Sequence, residues 1–579
     1  LPEKIWLMNR QIQKLCEHEY DILIIGGGIT GAVAAWDAAM RGLSVALIEK
    51  SDFGGATSAA SGKIIHGGLR YLQHAELHRV RESLCERHIW SRAAPHMLQP
   101  TPFLVPTYRN PMRGPTVLHI GMMLYELLGW GCNTNQKSTI EPQDLLRLNI
   151  PRHRMLSRRE AIELEPGLES ESLTGAALYY ELVMRNPERL TLSVVTAAAN
   201  AGAVVANYVD ALQFLLKENR VVGVKACDTL SGTEFEIRAK LVLNAAGPWV
   251  DAVLSRLNGL VRVPQVNFAK GVHLITKQIT TYAVALPSRQ RYADAILSRG
   301  SRHLFIIPWR GCSLVGTSNV PHRGGPGDAC VTAEDVEGLI RDINDAFPAA
   351  KLSVEDVLYA YSGVYRIPNG QPNQDAVLIE RKPQLLDHGR RDGIEGLISA
   401  VAVKYTTARR LAVRAVDLAC RKLNIPPPPT KTNTTPVCGG DIEDLAALIN
   451  EATAQARRLG LPEKTGPHLV HSYGSKYKRL LRYVESDPSL AKPLGEHSAS
   501  IAAEVAYAVR EEMAQKLLDV VLRRTGLGTA GNPGETCLRE CARIMAQELG
   551  WSTAKTEAEL EETLAKLAVP GQRSPAAAT

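Results

Sequence analysis

The segment Tyr20-Asp-Ile-Leu-Ile-Ile-Gly-Gly-Gly-Ile-Thr-Gly31, continued by an alanine-rich run to Arg41 and by Leu43-Ser-Val-Ala-Leu-Ile-Glu49, decides how this chain folds. An apolar run ending in glycines predicts a strand over Tyr20 to Ile25, the alanines predict a helix over Gly31 to Arg41, and the β-forming residues beyond them predict a second strand over Leu43 to Ile48. Strand, glycine turn, helix and strand in that order open a parallel α/β unit. Gly26, Gly28 and Gly31 have the G-x-G-x-x-G spacing, and Glu49 stands at the end of the second strand. In such a unit Gly26 permits the tight turn, Gly28 lets the backbone approach a pyrophosphate, and Gly31 lets the helix pack closely on the strand. The helix N-terminus offers N–H groups and a positive dipole end to phosphates. Glu49 is placed to accept hydrogen bonds from adenosine ribose hydroxyls. A glycine turn that merely packs does not account for Glu49.

The fingerprint by itself does not separate NAD from FAD; the segment after Glu49 does. Ser51-Asp-Phe-Gly-Gly-Ala-Thr-Ser-Ala-Ala-Ser-Gly62 is poor in helix signals and nearly free of bulk. It suits a backbone laid against a long ligand, as the ribityl and ring portions of a flavin require. The run then places Lys63, His66, Gly67, Arg70 and Tyr71 within nine residues.

At 579 residues the chain can hold two or more domains and a large core. An apolar content of 45% with 22% charged residues describes a globular protein, and the excess of 67 Lys+Arg over 60 Asp+Glu is a mild bias toward anionic substrates or surfaces, too weak to argue for nucleic acid. None of the ten cysteines forms the C-x2-C spacing of zinc sites, so no metal is expected, and reduced cytosolic thiols are. Leu1 to Tyr20 carries charges throughout, which predicts no secretory leader. The segment nearest to a membrane span, Ile120 to Trp130, is interrupted by Glu126 and reads as a buried helix, with a membrane-surface segment as the alternative.

Further strands are predicted at Ala203 to Tyr208, Arg220 to Cys227 and Lys240 to Asn244, so the dinucleotide domain is assembled from distant pieces. Between them, His273 to Thr276, His303 to Ile307 and Ser313 to Gly316 predict a second, mixed sheet. Four prolines after Ile425 favour an extended linker, and from Asp441 the pattern turns to helix after helix, including one over Ala499 to Leu522. The expected fold class is α/β plus α. A Rossmann-like FAD domain and a mixed or antiparallel-sheet substrate domain interleave over residues 19–425. They come after an N-terminal extension, 1–18, and precede a linker, 426–440, an all-α domain, 441–568, and a flexible tail, 569–579.

From Asp52 to Tyr71 the sequence resembles the FAD-dependent glycerol-3-phosphate dehydrogenases and oxidases, within the D-amino-acid-oxidase-like flavoproteins. The likeness continues through Ala94-Pro-His-Met-Leu98, Asn244-Ala-Ala-Gly-Pro-Trp249, Lys270-Gly-Val-His273, Phe305-Ile-Ile-Pro-Trp309, Gly316-Thr-Ser-Asn319, Tyr361-Ser-Gly-Val364, Lys404-Tyr-Thr-Thr407, Val437-Cys-Gly-Gly440 and Tyr473-Gly-Ser475. The resemblance implies oxidation of sn-glycerol 3-phosphate to dihydroxyacetone phosphate, with electrons passed to quinone or, in the oxidase branch, to oxygen. It implies a cytoplasmic protein, peripheral on the inner face of the membrane, and leaves a homodimer open.

Resemblance and chemistry together assign His273 as the leading general base, since an imidazole titrates near working pH. His66 competes for that role and otherwise contacts the flavin. Arg70 and Arg366 are assigned as guanidinium clamps for the substrate phosphate, with Tyr71 donating a further hydrogen bond. Lys404 is placed to stabilise the reduced flavin or a developing alkoxide. Cofactor contacts are expected from Gly26, Gly28, Gly31, Glu49, Thr57, Ser58, Ser61, Lys63, His66, Gly67, Val205, Ala246, Gly247, Trp249, Lys404 and Thr406. For Val205, sheet packing is an equal reading. The chain departs from the family pattern at Ala402-Val403, Tyr365, Asn319 and Pro187-Glu-Arg189. Those departures admit two other functions: a related FAD enzyme acting on another hydroxy acid or an amine, and a flavin-binding regulatory protein without catalysis.

Overall fold

A computed structural model describes residues 8–109, 114–130, 132, 150–168, 171–263, 266–287, 303–367, 382–495 and 498–572. The expected order opens it: strand β1 (Tyr20–Ile25), helix α1 (Ile29–Met40), strand β2 (Val45–Glu49). Gly26 takes φ +107 in the turn, a conformation that L side chains avoid. At Gly31 a Cβ would stand 1.9 Å from the Gly26 carbonyl oxygen, so only glycine lets α1 come this close to the end of β1. The alanines of α1 then let it pack against the helices Pro187–Asn200 and Ala408–Lys422.

β1 lies between β2 and Glu234–Asn244 in an eight-stranded sheet of the described residues. Val204–Asn207 pairs in parallel outside β2, and Leu397–Val401 in parallel outside Glu234–Asn244. The strands therefore come from positions 20 to 401 of the chain. A hairpin, Val209–Lys217 with Arg220–Asp228, continues from the first half of Glu234–Asn244. The second sheet has ten described strands and is antiparallel except where Ala283–Pro287 meets Leu98–Tyr108. Its strand Asn267–Lys277 carries His273, which stands opposite Gly316 on one side and Tyr361 on the other. Ile64–Ile65 pairs with Leu173–Met184, which ties the small-residue run after Glu49 directly to the second sheet.

The C-terminal helices pack on that second sheet, sharing one core in which Phe103, Ile307 and Leu314 meet Leu480, Val505 and Leu538. The helix expected over Ala499 to Leu522 is broken. Ala502–Glu512 ends at Met513 in a left-handed conformation, and the chain resumes as a π-helical turn, Asp519–Arg524. The carboxylate of Asp519 accepts the N–H groups of Gln515 and Lys516, which satisfies backbone that a continuous helix would have paired. The proline-rich stretch is extended but strapped down. Thr430 donates to Asp37 at 2.5 Å, Arg409 donates to the buried Thr432, and Val437 N–H reaches the Ala93 carbonyl. Residues 573–579 of the expected tail lie outside the described residues.

Two expectations are corrected. Helix α2 (Leu77–Ala93) and helix α3 (Pro115–Gly129) lie side by side, and a disulfide joins Cys85 of α2 to Cys132, so the thiols are not all reduced. Nor is α3 buried. It turns Leu118, Met122 and Tyr125 inward, while Ile120, Met123, Leu127 and Trp130 are 55–77% exposed along its outer face. Its apolar residues fall on both faces, which mimics a buried helix in sequence.

Gly31→Ala adds the Cβ that the Gly26 carbonyl excludes. Thermal unfolding of the cofactor-free chain should show a loss of about 2 kcal/mol, the scale of overpacking in a close-packed site. A loss within about 0.5 kcal/mol, as at an ordinary surface position, would show that the helix and strand are not held at this distance.

Candidate active site

A cavity of about 470 Å³ runs between the two sheets. Gly26, Gly28 and Glu49 line one end, Gly54 to Ser58 the middle, and His66, Arg70, His273 and Lys404 the other end.

The Glu49 carboxylate stands at one end of the cavity. One carboxylate oxygen accepts the Gly27 N–H at 2.7 Å, and the other accepts the Ser51 N–H and hydroxyl, both at 3.0 Å. Burial pushes the Glu49 carboxyl up, against the pull of those donors. No side-chain cap blocks the N-terminus of α1 at Gly28, although Ser58 Oγ accepts the Ile29 N–H at 2.9 Å and so brings the small-residue run beside it. Trp249 lines the cavity nearby, with the Lys50 ammonium over its ring. An acid held by backbone donors, a bare glycine turn, a helix that starts at a glycine with no side chain of its own over its N-terminus, and a long trough of small residues together fit a flavin dinucleotide.

At the opposite end His273 is 3% exposed and belongs to the wall. Its ring stacks on Tyr361 with centroids 5.1 Å apart and planes 12° apart, and its Nε2 lies 3.6 Å from where a Cβ on Gly62 would stand. Tyr361 in turn donates to the Ser61 carbonyl at 2.9 Å. The imidazole is thus fixed in orientation against the flavin-side segment. His66 lines the same end, but burial and the neighbouring charges of Lys404, Arg70, Arg87 and Arg79 hold its proton affinity far below the usual imidazole range. A neutral imidazole so weakly basic can contact a ligand yet takes up a proton poorly.

Three cations surround one phenol. The Tyr71 ring lies beneath Arg79 at 4.3 Å, Lys404 at 4.6 Å and Arg70 at 5.2 Å, and Arg70 donates to its hydroxyl at 3.4 Å. Burial alone would raise the phenol, but Arg70 and Lys404 outweigh it and bring it down to about 8. Lys404 donates to Ser83 at 2.8 Å, and burial lowers its own proton affinity. Tyr71 itself is 4% exposed and lies behind the wall that Arg70 and Lys404 form.

Thr57, Ser58, Ser61, Ala246, Gly247, Trp249 and Thr406 line the cavity as the sequence suggests. Gly31, Lys63, Gly67 and Val205 lie behind it. Gly31 packs helix on strand; Val205 is core on Val204–Asn207; Gly67 donates its N–H to Glu181, where a Cβ would collide with Tyr125. Lys63 is 1% exposed, pairs with Glu188 at 3.3 Å, and is enclosed by the rings of Trp309 and Tyr361. Arg366 is in the wall, but Asp251 holds it at 3.0 Å, toward the dinucleotide side. Sequence reasoning misses Glu181: 3% exposed, it lines the cavity and gathers Arg87 at 2.7 Å, Tyr125 at 2.9 Å and Gly67 N–H at 2.9 Å. A lone acid in the otherwise apolar stretch Leu178 to Met184 is the one signal that could have found it.

Residues 21–403 match the family described as FAD dependent oxidoreductase, and residues 430–556 match the C-terminal domain of alpha-glycerophosphate oxidase. The glycerol-3-phosphate dehydrogenase of Synechocystis sp. is 32% identical over 563 residues, covering 96% of this chain and 97% of that one. The aerobic glycerol-3-phosphate dehydrogenase of Staphylococcus haemolyticus is 32% identical over 532 residues, covering 90% and 89%. Among solved structures, the glycerol-3-phosphate dehydrogenase from Bacillus halodurans, complexed with FAD, superposes with a TM-score of 0.76 at 27% identity over 98% of this chain and 100% of that one. The chain therefore belongs to the FAD-dependent oxidoreductase family that includes the glycerol-3-phosphate dehydrogenases.

Proposed function

We propose that this chain oxidises sn-glycerol 3-phosphate to dihydroxyacetone phosphate and passes the electrons to a quinone. The observation that carries the reading is that one end of the cavity is lined by a buried imidazole, His273, together with the cations Arg70 and Lys404. Relatives of that name match the chain over nearly its whole length. The bound FAD supplies the hydride acceptor. His273 takes the proton of the C2 hydroxyl as hydride leaves C2, so the carbon is oxidised to a ketone and the imidazole becomes imidazolium. Arg70 presents its guanidinium to the phosphate, with Arg79 and Lys404 adding to the positive field around it. Lys404 also stabilises negative charge that develops on the oxygen or the flavin ring. Tyr361 holds the base in plane, and the buried setting of His273 keeps bulk water from competing for the proton.

Among the described residues no helix is long and apolar enough to cross a membrane. We assign membrane contact to α3, whose exposed Ile120, Met123, Leu127 and Trp130 form one apolar seam, so that the protein sits peripherally on the inner face of the cytoplasmic membrane, where quinone is dissolved.

The FAD-loaded chain, assayed with a soluble quinone analogue, should turn over sn-glycerol 3-phosphate with stoichiometric dihydroxyacetone phosphate and ignore glycerol. His273→Asn should lower kcat by about 10²-fold or more. No turnover, or equal use of glycerol, would defeat the assignment. As pH rises through about 8, Tyr71 loses its proton and the phenolate competes with substrate phosphate for Arg70. KM should therefore climb above that pH while Tyr71→Phe keeps a flat profile; the same climb in the variant would exclude Tyr71 as its source. Replacing Ile120 and Leu127 together by Glu should abolish sedimentation with lipid vesicles and leave turnover of the soluble acceptor unchanged. Undiminished sedimentation would remove α3 from the membrane contact.

A further inference from the structure

The small-residue run that lines the middle of the cavity starts at Asp52, and that carboxylate is held from outside the cavity. Asp52 is 1% exposed. Arg524 donates to both of its oxygens, one of them at 2.9 Å, and Arg523 donates to it at 2.5 Å. The Asn207 amide adds a donor at 2.9 Å and also reaches the Met513 carbonyl at 2.9 Å. Arg523 turns its second nitrogen to Asp519, which accepts the Tyr208 hydroxyl at 2.7 Å. Arg524 also donates to the Glu512 carbonyl at 2.7 Å. Two carboxylates and two guanidiniums thus balance in a region with almost no solvent. Burial of such charges is tolerated only when each is fully paired.

Both arginines belong to the π-helical turn of the C-terminal domain, and no residue of that turn lines the cavity. The loop they hold does line it. From Asp52 the chain buries Phe53 completely against the Gly27 turn, returns the Gly54 N–H to the Gly27 carbonyl at 3.0 Å, and reaches Ser58, which accepts the Ile29 N–H at the start of α1. Arg523 lies along the outside of Gly55, 3.7 Å from where a Cβ would stand.

We propose that Arg523 and Arg524 are positioning residues of the cofactor site: by fixing Asp52 they shape the 53–58 loop for the dinucleotide, so that FAD binding and the order of segment 515–525 are coupled. The inference rests on the reading of the cavity as the FAD site and gives the C-terminal helices a part in it. Coupling of this kind is reciprocal.

The test is amide hydrogen exchange on the full chain, with FAD and after its removal. FAD should slow exchange at 53–58 and also, severalfold, at 515–525, which the ligand does not touch. Protection confined to 53–58 would overturn the inference and leave the cofactor site intact; absence of FAD binding altogether would overturn both. A second measurement separates positioning from mere stability. Arg523→Met should raise the FAD dissociation constant about tenfold or more, and Arg523→Lys should recover most of it. A variant that lowers the melting temperature of the cofactor-free chain without changing FAD affinity would also overturn the proposal. If Arg523→Met does not fold, the exchange measurement on the unaltered chain still decides.

Discussion

Gly31 rests against the carbonyl of Gly26, and the rest of the molecule is arranged around that contact. Any side chain there would push α1 off the end of β1, and with it the helix N-terminus that faces the cavity. Once the two are in contact, the turn between them is bare backbone, and the acid at the end of β2 can take the Gly27 N–H directly. The alanines of α1 continue the same economy of volume, so that Pro187–Asn200 and Ala408–Lys422 seal one face of the sheet. The opposite wall of the cavity is supplied by the second sheet, which the segment Ile64–Ile65 joins to the first. The cavity lies where the chain crosses between them.

Charge is distributed along the cavity with a clear gradient. At the Glu49 end an acid is held by backbone donors, suited to sugar hydroxyls; at the His273 end Arg70, Arg79 and Lys404 crowd one phenol. Cations this close repel one another, and the aromatic face of Tyr71 and the hydroxyl of Ser83 offset part of that cost. A dianionic phosphate would relieve the remainder. The same field depresses the proton affinity of His66, while His273 is stacked on Tyr361.

The local parts of this plan were legible in the sequence. Tyr20–Ile25 is a strand with the bounds its apolar run suggests, and the strands Val204–Asn207, Arg220–Asp228, His303–Trp309 and Cys312–Gly316 track their β-forming runs. Cavity-lining residues within those runs or their turns were readable because small side chains and acids at fixed spacing have few other uses. Features that depended on distant partners were not. The Lys63 side chain is close to His66 in sequence, yet Glu188, Trp309 and Tyr361 draw it into the core. Arg366 pairs with Asp251, more than a hundred residues earlier in the chain. Glu181 gains its role from Arg87, Tyr125 and Gly67, all of them far away along the chain. The outer face of α3 is as apolar as its inner one, so periodicity could not show which side met solvent. Likewise the turn after Glu512 is held both by Asp519 nearby and, through Arg524, by Asp52 far away along the chain.

In the function proposed, a flavin held by the glycine turn and a glycerol phosphate held by the cationic wall meet at His273. Anaerobic mixing of the FAD-loaded chain with sn-glycerol 3-phosphate, monitored through the flavin's visible absorbance, tests it most directly. Full bleaching by the phosphorylated alcohol and none by glycerol at the same concentration is the expected result. Bound FAD whose absorbance the phosphorylated alcohol leaves unchanged would contradict it.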